Sequence, residues 1–525
     1  MIINLSIEDR TRSLVDRFVK NTDFFKFKQF RIGIDIEPAL AERFNGQVMV
    51  LTSLNLISRF SGGILIGEIP EIPLKAGLQG QKSNLKSELL KIAHQSNPEI
   101  IIGNLKNEKS VDALLAIGNT GHTATFKVAI NSNGWIAELE EGPNPSLEYV
   151  GENSNPIGAQ VAACFASAEI FKFLLRKMGS TDYAVSRSLP HISFSALDYS
   201  IDSHATHNPR LPSKLDFGEV TLVGVGAVGS SFINTLSYIP KIRGRLVLLD
   251  FDVVDVTNLN RYLSVNAGDI GMTKVAAASN FLKESSIETF PIQKSYESYI
   301  KEDRPDKRLD TVVSTVDNNS AREHIQSDLP RQILHGATHE QTCVISRHDF
   351  IHGACLGCLF YKRTITYAQE ISNETGIPLD EVEMVLAAGG AFTTGHLSIM
   401  IQKRGVIAEK FARFIGQPFR DVYAKEICGT LGIRVEMKTE AATVSFVSAL
   451  PGILLVGEIL KDRIGKLHRY RLNNYLQMSL FSLKANKPIF RKKDPRCSSL
   501  CYEPIMIDRY NQKWMKTRED KNRRV

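Results

Sequence analysis

Cysteine and tryptophan are scarce in this chain: seven cysteines, an odd number without dense spacing, and two tryptophans among 525 residues. That scarcity excludes a disulfide-stapled secreted framework and fits a reducing, cytoplasmic compartment. The N-terminus, MIINLSIEDRTRSLVDR, lacks the apolar core of a signal peptide, so export is not expected. The uncharged stretch 441–457, AATVSFVSALPGILLVG, is shorter than the ~20 residues of a membrane helix. It also carries Pro451-Gly452 and reads as a buried helix, so no membrane partner is expected. An excess of charge of one sign is found in a single place. The net charge is +7, and residues 491–525 alone hold 11 Lys/Arg against 5 Asp/Glu, leaving the remainder near neutral. The basic tail, 506–525, reads as a solvated terminus rather than a nucleic-acid contact.

What is present is an ordinary globular composition, 43% hydrophobic and 23% charged, with room for roughly three domains of ~150 residues. Residues 1–200 mix helical periodicity (SLVDRFVKN, MVLTSLNLISRF) with strand-like runs at 114–117 and 126–130. A Ser-, His-, Asp- and Pro-rich stretch, 188–216, reads as a linker, with 201–216 as its boundary segment. From 217 onward strands alternate with helices: EVTLVGV, a helix at a glycine loop, LVLLD, a helix through 272–283, and LDTVVST. That alternation predicts an α/β fold with a mostly parallel sheet. Past 350 the pattern is irregular, with helices at 379–403 and 446–461. An internal echo links AQVAACFASAEIFK (159–172) to SALPGILLVGEILK (448–461), each ending in Glu-x-x-Lys at the same offset. It is either coincidental helix-on-sheet packing or an old duplication in which only the second copy keeps a glycine loop.

The loop GVGAVGS places Gly224, Gly226 and Gly229 between a strand and a helix, where backbone N–H groups and the helix N-terminus suit phosphate. Asp250, ending the next strand, is placed to accept ribose hydroxyls, and so far a nicotinamide enzyme explains everything. It does not explain Asn258 and Arg261 close behind that acid, nor Lys274 opening the next helix. Cations there suit a triphosphate whose charge must be neutralised. Asp317 ends the third strand, where a carboxylate suits Mg²⁺ on that triphosphate. Taken singly, each of these residues reads as a helix cap or a surface ion pair; the whole ordered set points to the nucleotide.

The run D-F-D-x-V-x-x-x-N-L-N-R, with D-I-G-x-x-K and V-D-N-N-x-x-R after it, resembles the ThiF/MoeB/ubiquitin-activating superfamily. The resemblance implies a Rossmann-like adenylation domain over 217–505 that uses ATP and Mg²⁺ to adenylate the C-terminal carboxylate of a ubiquitin-like protein. It puts Gly224, Gly226, Gly229, Asn258, Arg261 and Lys274 at the phosphates, Asp250 on ribose and Asp317 on Mg²⁺. Arg322 matches the family's following Arg, and Tyr262 departs from its usual Gln. The resemblance also implies a degenerate, inactive adenylation-like domain over 1–200. Such fused halves occur in bacterial ubiquitin-like conjugation and antiviral operons. An Arg of the partner half reaches the phosphates in that family, and Arg10, Arg12 and Arg59 are the candidates here. A downstream conjugating enzyme is an implied partner, and further homodimerisation stays open.

Cys355-x-x-Cys358 and Cys497-x₃-Cys501 form two short-range pairs suited to a tetrahedral zinc site. The family's zinc contexts, C-x-x-C-L-F and D-P-x-C, are both present, with C-x₃-C as a departure. Cys164 and Cys343 read as core residues. Cys428 lies where the resemblance implies a thioester-forming cysteine, and reads equally as a structural thiol. The alternatives are a ThiF-like enzyme acting on a tRNA, peptide or small-molecule carboxylate or amide, an NAD-dependent oxidoreductase, and a catalytically silent zinc scaffold.

Overall fold

The computed structural model describes residues 7–19, 23–75, 83–108, 110–143, 145, 147, 153–187, 189–201, 208–304, 306, 308–339, 341–360, 367–404, 406, 408–423, 443–482, 488–495, 497 and 499–514. It divides into two units, Met1–Phe360 with Thr443–Val525, and Tyr361–Ala442.

The larger unit builds one architecture twice. Its first half pairs β1 (Ile32–Ile36), β2 (Gly63–Ile66), β3 (Ile101–Asn104), β4 (Val111–Ile117), β5 (Ala124–Asn133), β6 (Ile136–Glu141) and β7 (His191–Ser195) in the order β3-β2-β1-β4-β5-β6-β7. The second half pairs β8 (Leu215–Val223), β9 (Ile242–Leu249), β10 (Ser286–Ile292), β11 (Thr311–Ser314), β12 (Gln332–His339), β13 (Thr342–His348) and β14 (Tyr475–Ser479) as β10-β9-β8-β11-β12-β13-β14. In both sheets the first five strands in that order run parallel and the last two pair antiparallel. The fold is thus α/β with two largely parallel sheets, the degenerate copy preceding the one with the glycine loop. Strand β7 runs through the Pro- and Ser-rich stretch read as linker: HISFS buries Ile192 and Phe194 on one face, with Ser195 after them, and the flanking prolines obscured that pattern.

Helices cover the sheets: α1 (Ile7–Asp16), α2 (Phe44–Ile57), α3 (Leu85–Ser96), α4 (Ile157–Lys177), α5 (Ala227–Tyr238), α6 (Lys274–Leu282), α7 (Asn319–Ser327), α8 (Ser445–Arg463) and α9 (Pro504–Trp514). Two of them, α4 and α8, carry the sequence echo and occupy equivalent places, between β6 and β7 and between β13 and β14. Both are buried along nearly their whole length, which explains their apolar and small residues. Helix α4 is long and apolar enough to span a membrane by composition, and that segment is wholly buried inside the fold, as a core helix is. Small residues set the packing distance. A Cβ on Gly452 would come within 2.6 Å of Val228 O and 2.7 Å of Phe232 N on α5. Ser231 Oγ donates to Ala449 O (2.7 Å) at the same crossing. Since α4 packs on both α2 and α8, and α8 on α5, one hydrophobic core serves both halves. Aromatic contacts such as Phe171–Phe446 (5.8 Å) join them.

The smaller unit is helical, with Leu379–Ala387 and Thr394–Arg404 among its elements and its own core around Ile371, Val382, Phe392, Met400 and Phe419. Cys428, and the tail beyond residue 514, lie outside the described residues.

Candidate nucleotide and metal sites

The glycine loop joins β8 to α5, with Gly226 as the helix N-cap. Gly224 has φ +90°, and a Cβ on Gly229 would stand 2.3 Å from Gly224 O, so the turn and the helix-on-strand approach both require glycine. Gly226 differs: its Cβ would meet nothing closer than Tyr262 Oη at 3.7 Å. Glycine there leaves space in front of the helix N-terminus. Space and unpaired N–H groups at that end form a cradle for phosphate.

Asp250 is tied to the loop it serves. Its Oδ2 accepts from Val225 N (2.7 Å) and its Oδ1 from Asp252 N (2.9 Å). Burial raises its pKa, and Lys274 opposes that shift. Lys274, nearly buried, places Nζ 2.7 Å from Asp252 Oδ2 and 5.7 Å from the centre of the Tyr262 ring. Burial lowers the lysine's pKa, but Tyr262, Asp250 and Asp252 outweigh it and the net shift is upward. The ammonium therefore stays charged. Asp252 did not figure among the predicted site residues, although the D-F-D spacing carries it.

The string after Asp250 folds into a 3₁₀ turn, Val256–Asn260. Asn258 is buried there, and its Oδ1 accepts from Asp255 N (3.0 Å) in a capping box that fixes the turn. Arg261 follows, donating Nη1 to Asn260 Oδ1 (2.9 Å) and lying over the Tyr262 ring. Asp317 is exposed just past the carboxyl end of β11, immediately before α7 and its N-cap Asn318. Gly224 and Asp317 follow the ends of β8 and β11, neighbouring strands where the sheet order reverses, the place where open α/β sheets bind ligands.

The three N-terminal arginines separate. Helix α1 packs against the Val256–Asn260 turn. The side chain of Arg10 lies outside the described residues, and Arg12 lies over the Phe24 ring. Arg59 is buried and donates to Leu259 O, to Asn55 Oδ1 (2.7 and 2.9 Å) and to Ser96 Oγ (3.2 Å). It braces the turn from behind.

The four predicted zinc ligands converge, although the pairs are far apart in sequence. Cys355, Cys358, Cys497 and Cys501 are buried, with all Sγ atoms within 4.8 Å of one another. Separations are 3.7 Å for Cys355–Cys358, 3.4 Å for Cys355–Cys497 and 3.3 Å for Cys358–Cys501. Tetrahedral thiolates at ~2.3 Å from zinc stand ~3.8 Å apart, so the donor set fits that ion. Hydrogen bonding among the four sulfurs lowers the Cys497 and Cys358 thiols and raises those of Cys355 and Cys501. Cys343 and Cys164 are buried, and burial pushes both thiols up, Cys343 to about 12.

A relationship that sequence reasoning missed joins the two sites. Arg322 on α7 donates to Val316 O (2.9 Å) and Asn319 Oδ1 (2.7 Å), bracketing Asp317, while its guanidinium lies 4.2 Å from the ring centre of Phe360. Phe360 follows Cys358 by two residues. Gln326 Oε1 accepts from Leu356 N between the cysteines (2.9 Å), and Lys513 and Trp514 of α9 donate to Asp328 O and Leu329 O at the far end of α7. The conjunction of V-D-N-N-x-x-R with C-L-F was a signal, but nothing in the spacing says they touch.

Against known families, residues 204–499 match the ThiF family model. The chain belongs to the ThiF family. The degenerate half matches a second model, the BilD N-terminal domain, over residues 31–191. Among relatives, the uncharacterized protein y4jF of Sinorhizobium fredii is 28% identical over 449 residues, covering 83% of this chain and 82% of that protein. The adenylyltransferase and sulfurtransferase MOCS3 of Anopheles gambiae is 28% identical over 212 residues, 39% of this chain and 46% of its own length. Ubiquitin-like modifier-activating enzyme 5 of Arabidopsis thaliana is 32% identical over 120 residues, 20% of this chain and 27% of its own. This ThiF-family chain therefore shares under half the length of each of these last two relatives.

Proposed function

We propose that the second half adenylates the C-terminal carboxylate of a ubiquitin-like protein with ATP and Mg²⁺. The observation that carries this reading is the gathering of the Gly226 cradle, the Asp250–Lys274–Asp252 cluster, Arg261 and Asp317 along one carboxyl edge of the sheet. A carboxylate is a poor acyl donor, and activation makes one of its oxygens part of a better leaving group, AMP. The modifier's carboxylate oxygen attacks the α-phosphorus, the bond from that phosphorus to the bridging oxygen breaks, and pyrophosphate leaves with the electron pair. The nucleophile is already anionic, so no general base is required. Lys274 and Arg261 supply fixed positive charge beside the departing oxygens, and Asp250 holds the ribose. Asp317 is the residue that would hold Mg²⁺, which supplies charge neutralisation on the phosphates when bound. The paired cations favour a triphosphate over the nicotinamide reading.

In the second step, the Cys428 thiolate attacks the acyl adenylate, a thioester forms and AMP leaves, and the modifier passes on to a conjugating enzyme. The test is ATP–pyrophosphate exchange with a small protein ending in Gly-Gly. Exchange dependent on that protein supports the reading; exchange without it favours a small-molecule, peptide or tRNA substrate, and NAD binding with no exchange overturns it. Cys428→Ala should keep exchange and lose the reducible thioester.

A further inference from the structure

A cavity of about 320 Å³ lies between the two halves, apart from the nucleotide cradle. Its walls are α2 and α3 of the first half, and α5, the end of α6 and residues 263–266 of the second. Since α2 corresponds to α5 and α3 to α6 in the repeated architecture, the cavity sits where the repeat brings equivalent helices together. Counted from the caps Asn84 and Thr273, Lys91 matches Asn280 and Ile92 matches Phe281.

Two features of the floor point to an anionic ligand. Arg59 lines the cavity at 1% exposure, and its hydrogen bonds go to Leu259 O, Asn55 Oδ1 and Ser96 Oγ. Among the described residues no carboxylate pairs with it, so its burial leaves a charge without a counter-charge. Beside it, Asn234 is 4% exposed and lines the cavity, and its side-chain amide has no hydrogen-bond partner among the described residues. The amide is therefore open to the cavity. The acids that also line the cavity do not cancel Arg59. Glu88 lies 3.4 Å from Lys91 and offsets that lysine, while Glu284 and Lys283 are exposed neighbours at the mouth. The cavity's size is at the lower end for small-molecule sites.

We propose that this cavity is an effector site for a small organic or inorganic anion, carboxylate or phosphate, bound by Arg59 and Asn234. Asn234 is eight residues along α5 from Gly226, about 12 Å, so the anion and the nucleotide occupy opposite ends of one helix. Arg59 also holds Leu259 O, and Leu259 lies between Asn258 and Arg261. A ligand that draws on the guanidinium therefore alters the turn behind the nucleotide site, and this coupling rests on the proposed adenylation site.

The experiment is calorimetric titration of the full chain with inorganic phosphate and, separately, with succinate. A saturating non-hydrolysable ATP analogue with Mg²⁺ fills the nucleotide site throughout. One anion should bind at about one equivalent, and Asn234→Leu, near-isosteric and without a partner to lose, should weaken it about tenfold while leaving anion-free exchange unchanged. Arg59→Gln should weaken binding at least as much, and Asn234→Leu keeps the test open should that variant not fold. Phosphate alone, or succinate alone, identifies the source of the anion. No binding of either at millimolar concentration, or equal binding by Asn234→Leu, overturns the site. A second titration, of the ATP analogue itself with and without the anion at saturation, reads the coupling, and an unchanged affinity overturns it. Anion binding in a protein that shows no exchange keeps the site and overturns the adenylation reading instead.

Discussion

Lys172 and Lys461 make the same exchange in opposite directions. Lys172 Nζ, in the first half, donates to Phe481 O just after β14 (3.1 Å), and Lys461 Nζ, in the second, donates to Leu197 O just after β7 (2.8 Å). Each is fully buried and sits 2.6 Å from the acid one turn earlier, Glu169 or Glu458. The two halves are thus latched by matching ends of matching helices. The equivalence is geometric, not energetic. Glu458 also meets Arg347 (2.9 Å), Tyr199 Oη (2.6 Å) and Leu472 N (2.8 Å).

The two acids should therefore show opposite pH signatures. Burial lifts the Glu169 carboxyl to about 7, so its contribution to stability is present below its unfolded value near 4.5 and lost as pH rises through about 7. For Glu458, Lys461 and Arg347 overcome burial and bring it to about 2, so its contribution is present above 4.5 and lost as pH falls toward 2. Urea unfolding at pH 8 should show Glu458→Gln destabilised by about 3–5 kcal/mol, because Arg347 and Lys461 lose their counter-charge. Glu169→Gln should cost less than about 1 kcal/mol at pH 8 and flatten the stability change between pH 5 and 8.

Two glycines in one loop should respond differently to alanine. Gly229→Ala collides with backbone at 2.3 Å, so the loop must shift, and unfolding should fall by about 1–3 kcal/mol together with nucleotide binding. Gly226→Ala meets nothing tight, so its melting temperature should match the parent while exchange falls at least about 100-fold. Calorimetric melting and pyrophosphate exchange on the same preparations separate the two effects.

Asp317→Ala should lose exchange by at least about 100-fold, with stability within ~0.5 kcal/mol of the parent because the side chain is exposed. Raising Mg²⁺ should not restore it. Exchange near the parent's rate would remove Asp317 from the reaction.

The Arg322–Phe360 contact predicts that the four-cysteine module positions Asp317. Phe360→Leu should raise KM for Mg·ATP several-fold while zinc content, measured by atomic absorption, stays at one equivalent; Phe360→Tyr, which keeps the aromatic face, should restore it. Chelation of the Cys355 cluster should lower the melting temperature as well, since Gln326 and α9 anchor α7 to the same module.

Much of this was legible in the chain. Strand-to-helix alternation and the spacing of Gly224, Asp250, Arg261, Lys274 and Asp317 are local, and local pattern reports local geometry. Four cysteines in two short pairs announce a tetrahedral set because the ligand chemistry dictates their number. The first half was harder to read. Its sheet repeats the second strand for strand, but the turn after β1 carries Glu37-Pro38 in place of glycines. Only the buried Glu-x-x-Lys of the latch still marked the relationship.

By itself, the sequence determined which elements form and which chemistry they carry, because periodicity, caps and ligand types act over a few residues. Tertiary structure decided what depends on distance between remote segments. It set Lys172 against Phe481, Arg322 against Phe360, and Arg59 behind Leu259, leaving the first at a carbonyl, the second on a ring and the third, among the described residues, without an acid. The first and third placements follow from the packing of the two halves and the second from α7 meeting the cysteine segment, and no local pattern encodes the partner that packing brings.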